Sequence, residues 1–152
     1  MNDFTIGEAR LEDIPALVTL LAELFSIEAD FSADTTKQVK GLELLLLAPD
    51  RAVIKVARDN HQKVVGMVSA QLVISTAQGS PSAWVEDMVV SKEIRGGGVG
   101  RALLDAAQHW AKAKGATRMQ LLVDIENQPA VGYYQHLGWE ATQLQARRLF
   151  LD

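Results

Sequence analysis

The chain has 152 residues, 48% of them hydrophobic and 22% charged, which suits one compact domain spanning residues 1–152 and is too little for two ordinary ones. Without cysteine it has no thiol nucleophile, zinc-thiolate cluster or iron–sulfur centre, and a chain of this size buries enough surface to need no disulfide. Its 15 basic residues against 19 acidic ones leave a net charge of −4, which opposes nonspecific attraction to nucleic acid or anionic lipid, so neither is an expected partner.

Met1 to Arg10 shows no basic stretch followed by an apolar one, and the longest apolar run, Leu44 to Ala48, is far short of the ~20 residues of a membrane span. A soluble cytoplasmic protein is expected. Phe4 to Arg10 reads as a strand, and Asp13 with Pro15 marks a helix start. Ile14, Leu17, Val18, Leu21, Leu24 and Phe25 then repeat at helical spacing. Glu28 to Asp34 is an acidic connection, followed by a second helix over Thr35 to Leu47 that Pro49 stops.

Two strands come next, Ala52 to Ala57 and Val64 to Ile74, with Asp59 and Asn60 at hairpin distance between them. Gly79 and Pro81 turn the chain into a further strand, Ala83 to Val90, in which Glu86 and Asp87 interrupt the apolar residues. Gly100 to Lys114 is helical, with Leu103, Leu104, Ala107, Trp110 and Ala111 on one broad face and Gly115 as its stop. Met119 to Val123 is a strand. Pro129 opens a short helix that carries Ala130, Val131, Tyr134 and Leu137 inward and ends at Gly138, and Trp139 to Phe150 supplies the last strand material. Hairpins followed by a strand–helix–strand crossover make this an α+β arrangement.

One segment stands apart. Val89 to Arg101 passes from strand to helix through Gly96, Gly97, Gly98 and Gly100, with Lys92, Arg95 and Arg101 against the single acid Glu93. Glycines permit positive φ and close approach, and the first N–H groups of the next helix lack internal partners, so the turn suits an anion. A P-loop would require a Lys-Ser/Thr pair after the glycines, which is missing. A dinucleotide fingerprint would require a third glycine where Arg101 or Leu103 stands, although Asp124 could imitate its ribose-binding acid. A loop without a ligand is the plain alternative.

Arg95-x-x-Gly98-x-Gly100 after a β-rich strand resembles the pyrophosphate loop of the GNAT superfamily of N-acetyltransferases. Asn127, Ala130, Tyr134, Gly138 and Trp139 match that family's downstream pattern, with Trp139 where phenylalanine is more usual. The resemblance covers the whole order of strands and helices. It implies a mixed, mostly antiparallel sheet of six or seven strands with a splayed parallel pair, Ala83–Val90 and Met119–Val123, flanked by four helices.

The resemblance further implies acetyl-CoA as cofactor and direct transfer of its acetyl group to a primary amine of a small-molecule or peptide acceptor. The alternative from another class is an acyl-CoA-binding regulatory module without turnover. The backbone of Met88, Val89 and Val90 would pair with the pantetheine arm, as an added strand does. The N–H groups of Arg95, Gly96, Gly97, Gly98, Val99, Gly100 and Arg101 would hold the pyrophosphate, and Asn127 would touch the pantetheine region. A backbone N–H near Val89 could polarise the thioester carbonyl.

A lysine-like amine is about 99.9% protonated at pH 7, so a proton acceptor is required. Glu86 is the first candidate. Regular pleating sends Asp87 to the other face, while a bulge would exchange the two. Tyr134 matches the family residue that protonates the leaving thiolate. With a thiol near pKa 8.5 and tyrosine near 10, full transfer is uphill by ~2 kcal/mol, so hydrogen bonding to the developing thiolate would serve. Tyr133 points about 100° away around the helix and is read as packing.

His61, His109 and His136 stand singly, so no metal site is expected. Glu28, Asp30 and Asp34 lie in the segment that borders the family's acceptor site and suggest a cationic acceptor. A homodimer paired or exchanged through Trp139 to Phe150 is an open alternative.

Overall fold

The computed structural model describes residues 3–27 and 34–151. Glu28 and Asp30 of the acidic connection lie outside them. The elements are β1 (Phe4–Glu8), a 3-10 turn (Leu11–Asp13), α1 (Ile14–Ile27), α2 (Thr35–Leu46), β2 (Ala52–Asp59), β3 (Val64–Ser75), β4 (Ser80–Val90), a second 3-10 turn (Lys92–Ile94), α3 (Val99–Ala113), β5 (Arg118–Leu121) and α4 (Gln128–His136). The chain divides into two compact units, Met1–Gln120 and Leu121–Asp152.

The sheet runs β1-β2-β3-β4-β5. Its first four strands are antiparallel neighbours joined in sequence. At β5 the sense changes. The Thr117 N–H donates to Pro81 O, and the Ser82 hydroxyl, itself fully buried, donates to Arg118 O, so the contacts advance together along both strands as in a parallel pair. Ser80 Oγ and Thr117 Oγ1 share a further bond of 2.6 Å, and Thr117 donates on to Gln78. These bonds clasp β4 and β5 at their starts.

Neighbouring positions on β3 serve opposite faces. Met67 lies in a cluster with Leu17, Leu20 and Leu21 of α1, Leu42 of α2, and Ile54, Val56 and Val89 of the sheet. Gly66, one position earlier, faces α3: a Cβ there would lie 3.0 Å from Leu103 Cδ1 and 3.2 Å from Val99 Cγ1. The missing side chain thus lets the first turns of α3 approach the sheet closely. Each leucine withdrawn from water contributes roughly 1.5–3 kcal/mol, so these two apolar layers dominate the stability of the larger unit.

The helices begin where short polar residues allow. Asp13 accepts the Arg10 N–H at 2.8 Å and forms two bonds with the Arg58 guanidinium, at 2.9 and 2.6 Å, both side chains being largely buried. The Arg58 hydrogen bonds, helped by that from Arg10 and opposed by burial, hold the Asp13 carboxyl below its usual range. Asp34 accepts the Lys37 N–H at the start of α2. That carboxylate, expected to face an acceptor, has a capping role.

Two expectations are corrected. The sheet has five strands among the described residues, where six or seven were expected, and Trp139 to Phe150 contains no strand. Leu144 and Phe150 in that stretch are each 81% exposed. Apolar and β-prone residues favour a strand only when a neighbouring edge accepts their ladder, which a local sequence cannot supply.

Candidate functional site

The candidate residues of the larger unit lie along one continuous path, β4 into α3. Along β4, Val85 pairs with Ala70 and Met88 with Val68, so Glu86 and Asp87 together stand opposite Ser69. Two residues against one is a bulge, and it shifts the alternation: Val85 and Met88, three apart, share a face. The bulged alternative for the carboxylate pair, rather than regular pleating, is the one present. Glu86 is exposed and Asp87 partly so. The Asp87 N–H donates to Ser69 Oγ at 3.2 Å.

Beyond the bulge, Val89 enters the apolar core while Met88 and Val90 remain partly exposed. The Ser91 N–H donates to Val65 O at 2.8 Å and ends the pairing. The 3-10 turn follows, and the Arg95 Nε–H reaches back to Val90 O at 3.2 Å. Gly96 and Gly98 adopt φ values of 89° and 83°, the left-handed region where a side chain is strained. Nothing lies within 4 Å of a Cβ built on either, so both open onto free space.

Gly98 is the N-cap of α3 and supplies no capping side chain. The leading N–H groups of a 15-residue helix therefore point outward with the positive end of its dipole. Arg95 and Arg101 are exposed nearby in sequence, and Val99 is buried as the anchor of the first turn. These N–H groups are uncapped and approachable, and two arginines stand beside them in sequence, a set of donors that suits an anion. A cavity of about 190 Å³ beside the loop is lined by Asp3, Phe4, Asp59, Val65, Ile94, Gly97 and Val99.

The smaller unit holds the other candidates. Asn127 is the N-cap of α4, its Oδ1 accepting the Ala130 N–H at 3.3 Å. The oxygen is thus engaged in the fold, and the NH2 end is what a ligand could use. Tyr134 packs edge-on against Trp139, ring centres 5.9 Å apart, and against Tyr133 at 5.6 Å. The Trp139 N–H donates to Tyr134 O, closing the turn at Gly138, whose φ is 95°. This ring contact explains an aromatic residue at 139 whatever its identity.

Elsewhere, His109 Nδ1 bonds to Asp105 O within its own helix. Among the described residues no group of three or more His, Asp or Glu side chains could hold a metal ion, and no helix is long and apolar enough to cross a membrane. Sequence reading overlooked Gly66, Ser69 and Ser82. Their only local signal is a small residue inside an apolar strand, and its meaning depends on what each opposes across the sheet.

Residues 15–139 match the model of the Acetyltransferase (GNAT) family. The Aminoalkylphosphonate N-acetyltransferase of Salmonella typhimurium is 26% identical over 140 residues, covering 92% of this chain and 87% of that protein. An uncharacterized N-acetyltransferase of Methanocaldococcus jannaschii, MJ1207, is 32% identical over 83 residues, 54% of this chain but 37% of that longer protein. Among solved structures, an aminoglycoside N-acetyltransferase, AAC(6')-Iy, in complex with CoA superposes with a TM-score of 0.79 at 22% identity, covering 98% of this chain and 93% of that one, and shares the fold. With a bulged strand running into an uncapped glycine turn and a family match over most of its length, the chain belongs to the acetyltransferase (GNAT) family.

Proposed function

We propose that this protein transfers the acetyl group of acetyl-CoA directly to a primary amine of a small-molecule or peptide acceptor. The observation that carries the reading is the bare start of α3, where a left-handed glycine stands in place of a cap immediately after the bulged strand. The backbone of Met88, Val89 and Val90 would pair with the pantetheine arm, and the N–H groups from Arg95 through Gly96, Gly97, Gly98, Val99 and Gly100 to Arg101 would hold the diphosphate. Asn127 would add a contact through its NH2 end. Acetyl-CoA, when bound, supplies the acetyl group as a thioester, whose C–S bond breaks as the C–N bond of the product forms.

Glu86, exposed at the bulge, takes the proton that the amine must lose, directly or through a water. Tyr134, its ring held by Trp139, would donate a hydrogen bond to the departing sulfur. The substrates named for two relatives, an aminoalkylphosphonate and an aminoglycoside, support an amine as the acceptor.

Calorimetry with acetyl-CoA, followed by a screen of aminoglycosides, aminoalkylphosphonates and short peptides for amine-dependent release of CoA, tests this. Binding with release in the presence of at least one amine is expected. Binding without release from any amine would make the protein a CoA-binding module. Glu86→Gln and Tyr134→Phe are each expected to lower kcat by about 10²-fold or more while leaving acetyl-CoA affinity within about threefold. Unchanged turnover in both variants removes these two roles.

A further inference from the structure

Ser69 lies at the middle of an almost wholly apolar strand, Val64 to Ser75, and is completely buried. It stands opposite the two residues of the bulge, Glu86 and Asp87. A strand that gains a residue against its neighbour loses one N–H from the ladder, and a buried N–H without a partner is costly. The Asp87 N–H is the donor in question, and Ser69 Oγ accepts it at 3.2 Å.

Without that hydroxyl the bulge loses the bond that holds it, and β4 is freed toward regular pairing by a slip of one residue. Because side chains alternate, a slip of one turns every following residue to the opposite face. Met88 to Val90 would then present different backbone groups and side chains outward, and Val89 would leave the core cluster it now joins.

We propose that Ser69 is a positioning residue for acetyl transfer: by accepting the Asp87 N–H it fixes the bulge, and through it the direction of Glu86 and the phase of the Met88–Val90 backbone that pairs with acetyl-CoA. This rests on reading β4 as the cofactor strand. Ser69 touches no substrate and acts only through the strand beside it.

Three variants test it: Ser69→Ala, Ser69→Thr and Ser69→Val. Threonine and valine bring nearly the same added volume into a packed site, so any packing loss is common to both and their difference reads the hydroxyl alone. Acetyl-CoA is the probe, its Kd measured by calorimetry, and exchange of the Asp87 amide is followed by NMR without any ligand. The expected result is that Ser69→Val binds acetyl-CoA about tenfold more weakly than Ser69→Thr, that Ser69→Ala loses about as much against the parent, and that Asp87 exchange quickens at least about tenfold in the alanine and valine variants only.

Equal Kd values for threonine and valine, with the parent binding normally, overturn the proposal and leave the proposed function standing. A parent that binds no acetyl-CoA overturns that function and this proposal together. If the two larger variants fail to fold, parent against Ser69→Ala decides: unchanged affinity and unchanged Asp87 exchange sink it.

Discussion

The helices of this protein begin in two ways. The approach to α1 is closed by Asp13, which accepts the Arg10 N–H and is itself gripped by Arg58. Asp34 caps α2 and Asn127 caps α4. At α3 the N-cap is a left-handed glycine with no side chain to offer, although α3 is the longest of the four among the described residues. A glycine N-cap forgoes roughly a few tenths of a kcal/mol against a capping side chain, and the omission is informative because α2 and α4 each carry such a side chain. Donors that the fold does not use remain available to a ligand.

The largest expected effect comes from abolishing that difference. Gly98→Asp puts a carboxylate at the open start, where it opposes a diphosphate by charge and competes for the same donors. Affinity for acetyl-CoA should fall by about 100-fold or more in calorimetry, while thermal unfolding reports a loss of only ~1 kcal/mol for aspartate in a left-handed conformation. Undiminished affinity would mean that the bare terminus holds no phosphate.

Opening the most closed start should come next. Asp13→Asn leaves Arg58 without its anionic partner in a largely buried setting, with an expected cost of about 2–3 kcal/mol in denaturant unfolding. The same pair makes stability depend on pH. Since the folded protein holds Asp13 below the ordinary 3.8, its contribution is fully present above that value and is lost as pH falls through the lower, folded one. Acid titration below about pH 4 should therefore be steeper in the parent than in Asp13→Asn.

Smaller effects are expected at the two ordinary caps. Asn127→Ala should cost about 1 kcal/mol, seen as faster amide exchange in α4, a helix of nine residues with none buried and so reliant on its cap. Asp34→Ala, at an exposed cap, should cost about 0.5 kcal/mol and leave acetyl-CoA affinity unchanged. A marked change in that affinity on losing Asp34 would erase the distinction between structural and ligand-binding helix starts.

Much of this contrast is legible before folding. The glycines from Gly96 to Gly100, following a β-rich strand and flanked by Arg95 and Arg101, already mark a turn that suits an anion, because backbone freedom and local charge are properties of a short stretch. The β-rich run of Val64 to Ile74 and the helical spacing from Ile14 to Phe25 likewise foretell their elements. Asp13 is readable as a helix start, but its partner Arg58, 45 residues away, is not. Nor is the missing strand after Trp139, since an apolar segment does not say whether an edge will receive it.

Local chemistry in the chain determined the helices, the strands of the hairpins and the glycine-rich, cationic character of one turn, since these depend on neighbours within a few residues. Tertiary structure alone decided which strand carries the extra residue, and hence where Glu86 and Asp87 stand. It also set what Gly66 must leave room for and which buried hydroxyl completes the ladder. Register is a relation between strands, fixed by packing two faces at once, and a single strand's sequence is compatible with several registers until its partners are in place.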